Sequence, residues 1–127
     1  PVARRWKTQI NELAKAWVQF EFLPEADHNT LAGIENDPAL IERTMPIFLK
    51  GSFAHPRNLL RADLTKQEMM VAGLAVDAVE FKGSSRLAEM WDAILFGDYF
   101  SYYLALSYDV DPTPITVMSN LKQQLKK

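Results

Sequence analysis

The sequence predicts an α/β fold, a three-layer sandwich in which helices cover a parallel β-sheet. Segments with helical periodicity alternate along the chain with short apolar runs that indicate buried strands, and this alternation is typical of parallel sheets. The apolar runs lie at residues 20–23, 46–50 and 75–81. Because three strands are few for such a sheet, we expect that a further strand precedes Val2.

Apolar side chains at helical spacing predict that the chain opens with an amphipathic helix over residues 2–20. The apolar positions are Val2, Trp6, Ile10, Leu13, Trp17 and Phe20. The short apolar run Phe20–Leu23, which is closed by a proline, favours a strand over further helix. A polar loop follows, in which Asp27, Asn29 or Thr30 is placed to cap a short helix.

The middle of the chain alternates in the same way. Pro46–Lys50 indicates a strand that is buried on both faces, and Ala75–Phe81 indicates another. Between them, Thr65–Glu68 matches a capping box at the start of a helix. After the second strand a long helical pattern opens at Ser85, and we expect it to be bent or interrupted at Gly97.

All four tyrosines of the chain lie in one stretch, residues 97–114. Their spacing predicts a helix that is apolar nearly all round, so it is central in its domain or lies in a subunit interface. The helix must end before Pro112, because a proline cannot continue it. Thr113 and Pro114 are then predicted as the N-cap and first position of a last helix, whose basic end suits its dipole.

Length, charge and composition narrow the classes of function. The chain has 127 residues and a net charge of −2, which fits one domain and gives no reason to expect nucleic acid or an anionic membrane as partner. It has no cysteine and two histidines, which excludes disulfides, thiolate catalysis and a His-rich metal site. No apolar run approaches a membrane span and no signal peptide is evident, so we expect a cytoplasmic protein. The missing initiator methionine suggests a piece of a longer chain.

Three polar side chains are candidates for chemistry, and each has a plain structural alternative. Glu12 lies beside the apolar stripe of the first helix, either solvated at its edge or partly buried with a raised pKa that suits a general base. His28 follows a predicted strand, and ligands bind at the carboxyl ends of parallel strands, yet a histidine in a polar loop often has no function. Lys122 is one of several lysines on the last helix. Spacing alone assigns a role to none of the three. His55 lies in a predicted turn, and this position favours a structural or surface role.

Four segments of the sequence resemble motifs of one enzyme family. Residues 97–114, GDYFSYYLALSYDVDPTP, are similar to the C-terminal signature of the bifunctional phosphoglucose/phosphomannose isomerases. Residues 2–12, VARRWKTQINE, resemble the Arg-Trp-Lys-x-Gln-x-Asn-Glu helix of that family. Residues 23–25 and 28–29 resemble its Leu-Pro-Glu loop and His-Asn pair. These matches follow the order of the family and extend over essentially the whole chain.

The resemblance implies a sugar-isomerase (SIS) domain of flavodoxin-like α/β type. Members of the family join two such domains, and residues 1–127 correspond to the second, C-terminal one. The first domain, outside this sequence, would hold the sugar phosphate in a loop rich in serine and threonine. The implied reaction converts glucose 6-phosphate or mannose 6-phosphate to fructose 6-phosphate through a cis-enediol, without a metal or nucleotide cofactor.

The resemblance also implies roles for four residues. Glu12 matches the glutamate that moves a proton between C1 and C2, and His28 matches a histidine that helps to open the sugar ring across a homodimer interface. Lys122 matches a C-terminal lysine that assists ring opening, and Thr113 lies near a threonine that discriminates between substrates. Where many members continue His-Asn-Glu, this chain has Thr30. The alternative is a non-catalytic module that binds a sugar phosphate or dimerises.

Overall fold

The structure is a computed structural model, and it describes residues 1–35 and 38–126. Its helices are α1 (Val2–Gln9), α2 (Glu25–His28), α3 (Pro38–Arg43), α4 (Pro56–Val71), α5 (Arg86–Ser107) and α6 (Thr116–Gln124). A π-helical turn at Ile10–Ala14 continues α1, and a 3₁₀ helix occupies Thr30–Ile34. The strands are β1 (Ile47–Gly51) and β2 (Asp77–Phe81).

These elements form two compact units. The terminal unit comprises Pro1–Phe20 and Ile94–Lys127, and the central unit comprises Glu21–Ala93. Helix α5 contributes residues 86–93 to the central unit and residues 94–107 to the terminal unit. The single domain expected over residues 1–127 stays a prediction.

A parallel sheet is the framework of the central unit. β1 pairs with β2 in a register that runs from Ile47 opposite Asp77 to Gly51 opposite Phe81. Helix α4 connects the strands, as a parallel pair requires. The α/β class with a parallel sheet is therefore confirmed, and the strands predicted at residues 46–50 and 75–81 are present within one or two residues of their expected bounds.

An ion cluster on β1 ties the sheet to its connecting helix. The Lys50 ammonium lies 2.8 Å from the Asp63 carboxylate on α4 and 3.2 Å from the Glu80 carboxylate on β2. The hydrogen bond that Lys50 donates to Asp63, followed by the one to Glu80, raises the pKa of Lys50 above its usual value. The charge of Lys50 is thus neutralised from both neighbouring elements.

The strand predicted at Phe20–Leu23 is wrong. Residues 15–22 have no regular secondary structure, and the Phe22 carbonyl accepts a hydrogen bond from the Ala26 amide at the start of α2. The backbone there leads into a helix, and the sheet of the described residues consists of β1 and β2. Phe22 is 63% exposed, so the apolar run is not covered by a core as a buried strand would be.

The first helix is also shorter than its apolar spacing predicts. The helical backbone ends at Ala14, because Lys15 takes a left-handed conformation with φ of 55°. Trp17 lies beyond this break and is 87% exposed. The apolar periodicity of the sequence, which includes Trp17 and Phe20, therefore extends beyond the end of the helix.

In the terminal unit, α1 packs against α5 through an aromatic stack. The Trp6 ring is buried and stacks on Phe96 and Phe100, with centroid separations of 5.8 Å and 5.4 Å. A Cβ atom built on Gly97 would overlap the Trp6 indole. Gly97 thus permits close approach of the helices, and the predicted interruption there is wrong, since α5 runs through it.

The buried face of the tyrosine-rich stretch is narrow. Small residues line it, since Ser101 and Ala105 are fully buried and the Ser101 hydroxyl donates to the Gly97 carbonyl at 2.7 Å. Tyr99 and Tyr103 are 59% and 62% exposed. Their rings stack on each other at 6.4 Å. The expected helix is present, but its tyrosines do not fill a core, which leaves the interface alternative open.

Two predicted helix starts are displaced. α6 begins at Thr116 with Ile115 as its N-cap, not at Pro114 with Thr113 as the cap. The Thr113 amide instead donates to the Asp111 carboxylate at 2.8 Å in the turn before the helix. α4 begins at Pro56, where the His55 ring accepts the Arg57 amide and caps the helix. The start predicted at Thr65 therefore lies inside α4.

Over the described parts of the chain, we find no helix with the length and apolarity needed to traverse a bilayer.

Candidate functional site

Glu12 lies in the π-helical turn that ends the first helix. Ile10 and Ala14 on either side of it are buried, and Glu12 itself is half-buried. The Lys15 ammonium donates to the Glu12 carbonyl at 2.5 Å and to the Pro112 carbonyl at 3.3 Å. Isolated π-turns within helices occur frequently at functional sites. Glu12 is thus not fully solvated at the edge of the helix.

Side chains around Glu12 fix the backbone that carries it. The Asn11 side chain accepts the Val18 amide at 2.8 Å and donates to the Val18 carbonyl at 3.4 Å. Gln9 donates to the Asp98 carboxylate on α5 at 2.8 Å, and Arg5 pairs with the same carboxylate at 3.4 Å. α1 is therefore held to α5, and the π-turn is held to the chain that follows it.

His28 is the last residue of α2, in the central unit, and it is exposed. Its neighbour Asp27 anchors the short helix to α4. The Asp27 carboxylate accepts the Arg61 guanidinium at 3.0 Å and the Thr65 hydroxyl at 2.6 Å. Asn29 then caps the 3₁₀ helix through the Thr30 amide, which confirms the predicted cap at that position.

A shallow, open depression of about 380 Å³ lies beside His28. It is lined by Pro24, Glu25, Asp27, His28 and Arg61. Carboxylate, imidazole and guanidinium groups thus surround one opening. The Arg61 guanidinium is already paired with Asp27, so the imidazole is the group in this opening that can exchange a proton with a polar ligand.

The other two predicted site residues lie in the terminal unit with Glu12. Lys122 is exposed in the last turn of α6, and Thr113 is exposed in the turn before that helix. Within residues 1–35 and 38–126, no hydrogen bond or ion pair joins Glu12, Thr113 and Lys122. His28 belongs to the central unit. Over the same residues, no cluster of three or more His, Cys, Asp or Glu side chains has the geometry of a metal site.

The sequence analysis missed Glu89. Its side chain is buried in the central unit, where its carboxylate accepts the Ser52 amide at 2.8 Å and the Ser52 hydroxyl at 2.5 Å. These Ser52 bonds, with amide donors of Phe53 and Gly83, hold the pKa of Glu89 below its usual value against the opposing effect of burial. An acid between Ala88 and Met90 gives no signal in the sequence, because its donors lie far away along the chain.

A solved structure has the same fold. The crystal structure of a glucose-6-phosphate isomerase like protein from Thermus thermophilus matches with a TM-score of 0.70 and 26% identity, over 97% of this chain and 39% of that one. The fold is thus that of an SIS-type α/β protein, as predicted. The family described as the bacterial phospho-glucose isomerase C-terminal SIS domain matches residues 1–125. This chain belongs to that family.

Curated relatives agree with this assignment. The bifunctional phosphoglucose/phosphomannose isomerase of Caldicellulosiruptor bescii is 36% identical over 98% of this chain and 37% of that protein. The enzyme of the same name from Aquifex aeolicus is 34% identical over 99% of this chain and 39% of that protein. The one from Thermoplasma acidophilum is 30% identical over 98% and 38%. The chain spans less than two fifths of the length of these relatives.

Proposed function

We propose that this chain supplies the C-terminal part of a bifunctional isomerase that converts glucose 6-phosphate or mannose 6-phosphate to fructose 6-phosphate. The main support is the similarity to isomerases of that name over 98% to 99% of the chain. The setting of Glu12, half-buried in a fixed π-turn, is the structural feature that suits the chemistry.

Glu12 is the proposed base. Isomerisation of the open-chain sugar requires a proton to leave C2 and a proton to arrive at C1, while a proton passes between the two oxygens of the cis-enediol. A carboxylate does this best when it is held within reach of both carbons and its backbone cannot move away. The bonds of Asn11 and Lys15 around the π-turn supply that positioning.

His28 is proposed to open the sugar ring. Ring opening takes a proton from the anomeric hydroxyl and returns one to the ring oxygen, and imidazole titrates in the range where both steps are feasible. His28 is exposed, so its imidazole is accessible to a sugar hydroxyl. We expect His28 to reach the sugar across the interface of a homodimer.

Lys122 and Thr113 complete the proposal. An ammonium near the sugar stabilises the alkoxide that forms when the ring opens, and Lys122 is exposed and able to supply it. Thr113 is the residue proposed to discriminate between substrates. We expect the phosphate to be held by an N-terminal SIS domain, no metal or nucleotide cofactor to be needed, and the protein to be cytoplasmic.

A second candidate is a non-catalytic module that binds a sugar phosphate or dimerises. The exposed tyrosines of α5 favour it, because a dense apolar and aromatic surface is typical of an interface. An isomerase also accommodates such a surface, as the place where its second copy or its first domain binds. Activity, and not association, separates the two candidates.

The test is Glu12→Gln in the complete protein, joined to its N-terminal domain. We expect loss of fructose 6-phosphate formation and of proton exchange at C2, with ring opening of the substrate retained. Glu21→Gln, which removes an exposed carboxylate, is the matched control and should keep full activity. Retained exchange in Glu12→Gln would remove this residue from the role of base. The 127-residue chain alone should show little turnover, because phosphate binding orients the sugar.

A further inference from the structure

The Glu89 carboxylate occupies the carboxyl end of the parallel sheet. β1 ends at Gly51 and β2 ends at Phe81, and the loops after both strands turn their amides towards Glu89. The hydrogen-bond donors are the Ser52 amide at 2.8 Å, the Ser52 hydroxyl at 2.5 Å and the Phe53 amide at 3.4 Å. The Gly83 amide adds a weaker contribution to the lowered pKa of Glu89. One side chain thus binds the loops that follow both strands.

Two glycines allow these loops to close around the side chain. A Cβ atom on Gly51 would lie 2.7 Å from the Glu89 carboxylate. A Cβ atom on Gly83 would lie 2.8 Å from the Glu89 backbone nitrogen. Glycine at a strand end often marks a place where a ligand or backbone approaches closely. Here the close approach is made by the chain's own carboxylate.

The group is buried without a cation on it. Glu89 is 5% exposed, and none of the ion pairs of residues 1–35 and 38–126 includes it. The nearby Arg86 guanidinium donates instead to the Phe53 carbonyl at 3.0 Å. Several convergent amides and a hydroxyl, without a paired cation, are the arrangement by which proteins bind oxyanions. In parallel sheets, ligands bind at this same edge.

We propose that Ser52, Phe53 and Gly83 form an anion site whose resident occupant is Glu89. The site, here called the strand-end nest, is complementary to a small oxyanion such as a carboxylate or a phosphate monoester. While Glu89 fills it, no phosphate binds at this edge of the central unit. Removal of the side chain exposes the donors and converts the nest into a phosphate site. This proposal is independent of the isomerase function, because it concerns binding and not turnover.

The test compares phosphate binding by Glu89→Ala and by the wild-type chain. Inorganic phosphate is titrated while the amide resonances of Ser52, Phe53 and Gly83 are followed by NMR. We expect all three to shift in Glu89→Ala over a range of phosphate concentration in which none of them shifts in the wild type. Asp92→Ala, which removes an exposed carboxylate from the same helix, is the control and should behave as wild type.

Three results would overturn the proposal. The first is a folded Glu89→Ala chain whose nest amides do not respond to phosphate. The second is a response of the same amides to phosphate in the wild type, because this would mean that Glu89 does not exclude the anion. The third concerns folding: if Glu89→Ala is only partly folded, phosphate or acetate should raise its folded fraction, because a ligand that binds the folded state stabilises it. No rise would contradict an anion site.

Discussion

Gly97→Ala tests how closely α1 and α5 must pack. A Cβ atom at this position would lie 2.6 Å from Trp6 Cδ1 and 2.7 Å from Trp6 Cε2, and nearer still to Nε1. The indole cannot move aside easily, because it is buried and stacked on Phe96 and Phe100. The two helices must therefore separate or the ring must leave its rotamer.

Two opposing terms set the magnitude. Alanine is favoured over glycine inside a helix by about 1 kcal/mol, whereas overpacking a rigid core costs about 1–3 kcal/mol. A Cβ atom at residue 97 would clash with three atoms of an indole that is held in place, so the cost of Gly97→Ala should lie at the upper end of that range. We expect a net loss of about 2 kcal/mol, which lowers the thermal midpoint of a chain of this length by about 8 °C.

The assay is thermal unfolding followed by circular dichroism, with two reference variants. Gly33→Ala is the matched control, because a Cβ atom there meets nothing within 4 Å, and it should be neutral or stabilising. Trp6→Leu provides the second arm of a double-mutant cycle, and in that background Gly97→Ala should cost little. A Gly97→Ala chain as stable as the wild type would refute the close-approach role of this glycine.

Two further predictions concern the central unit. Asp27→Ala removes the acceptor of Arg61 and Thr65 and should destabilise the chain by about 1–3 kcal/mol, as measured by urea unfolding. Asp27→Asn, which keeps an oxygen for the Thr65 hydroxyl, should cost less, and an equal cost would contradict this assignment. Glu89 has a lowered pKa, so its stabilisation is present above the ordinary carboxyl pKa and is lost as pH falls through the lowered value. In Glu89→Gln the free energy of unfolding should therefore fall less steeply as the pH is lowered through this range. The same loss of stability at acid pH as in the wild type would contradict this role of Glu89.

Local pattern predicted much of the fold correctly. Runs of apolar β-branched and aromatic residues marked β1 and β2, and Ser85 was rightly placed at the start of α5, where its hydroxyl accepts the Ala88 amide. These signals are local, because each depends on residues within a few positions of one another. Phe20–Leu23 had the same local signal and failed, because a strand also needs a partner edge.

The candidate site was predictable to a smaller extent. Glu12, His28, Thr113 and Lys122 were selected by resemblance to a family, and periodicity alone left each one open. The π-turn at Glu12 was not anticipated, since the apolar spacing continues unchanged through it, and the Asn11 side chain there binds Val18, beyond the end of the turn. Asp27 supports His28 through α4, more than thirty residues further along the chain, so no short motif reports it.

The sequence by itself determined the alternation of helices and strands, the family and the types of side chain available for chemistry. Three features were decided by the tertiary structure alone. Gly97 allows the Trp6 ring to approach α5, the tyrosines of α5 are exposed, and Glu89 binds the loop at the end of β1. Periodicity shows which face of a helix is apolar, but it does not show which atoms cover that face. Close approach and the hydrogen bonding of a buried carboxylate depend on groups that meet only after the chain has folded.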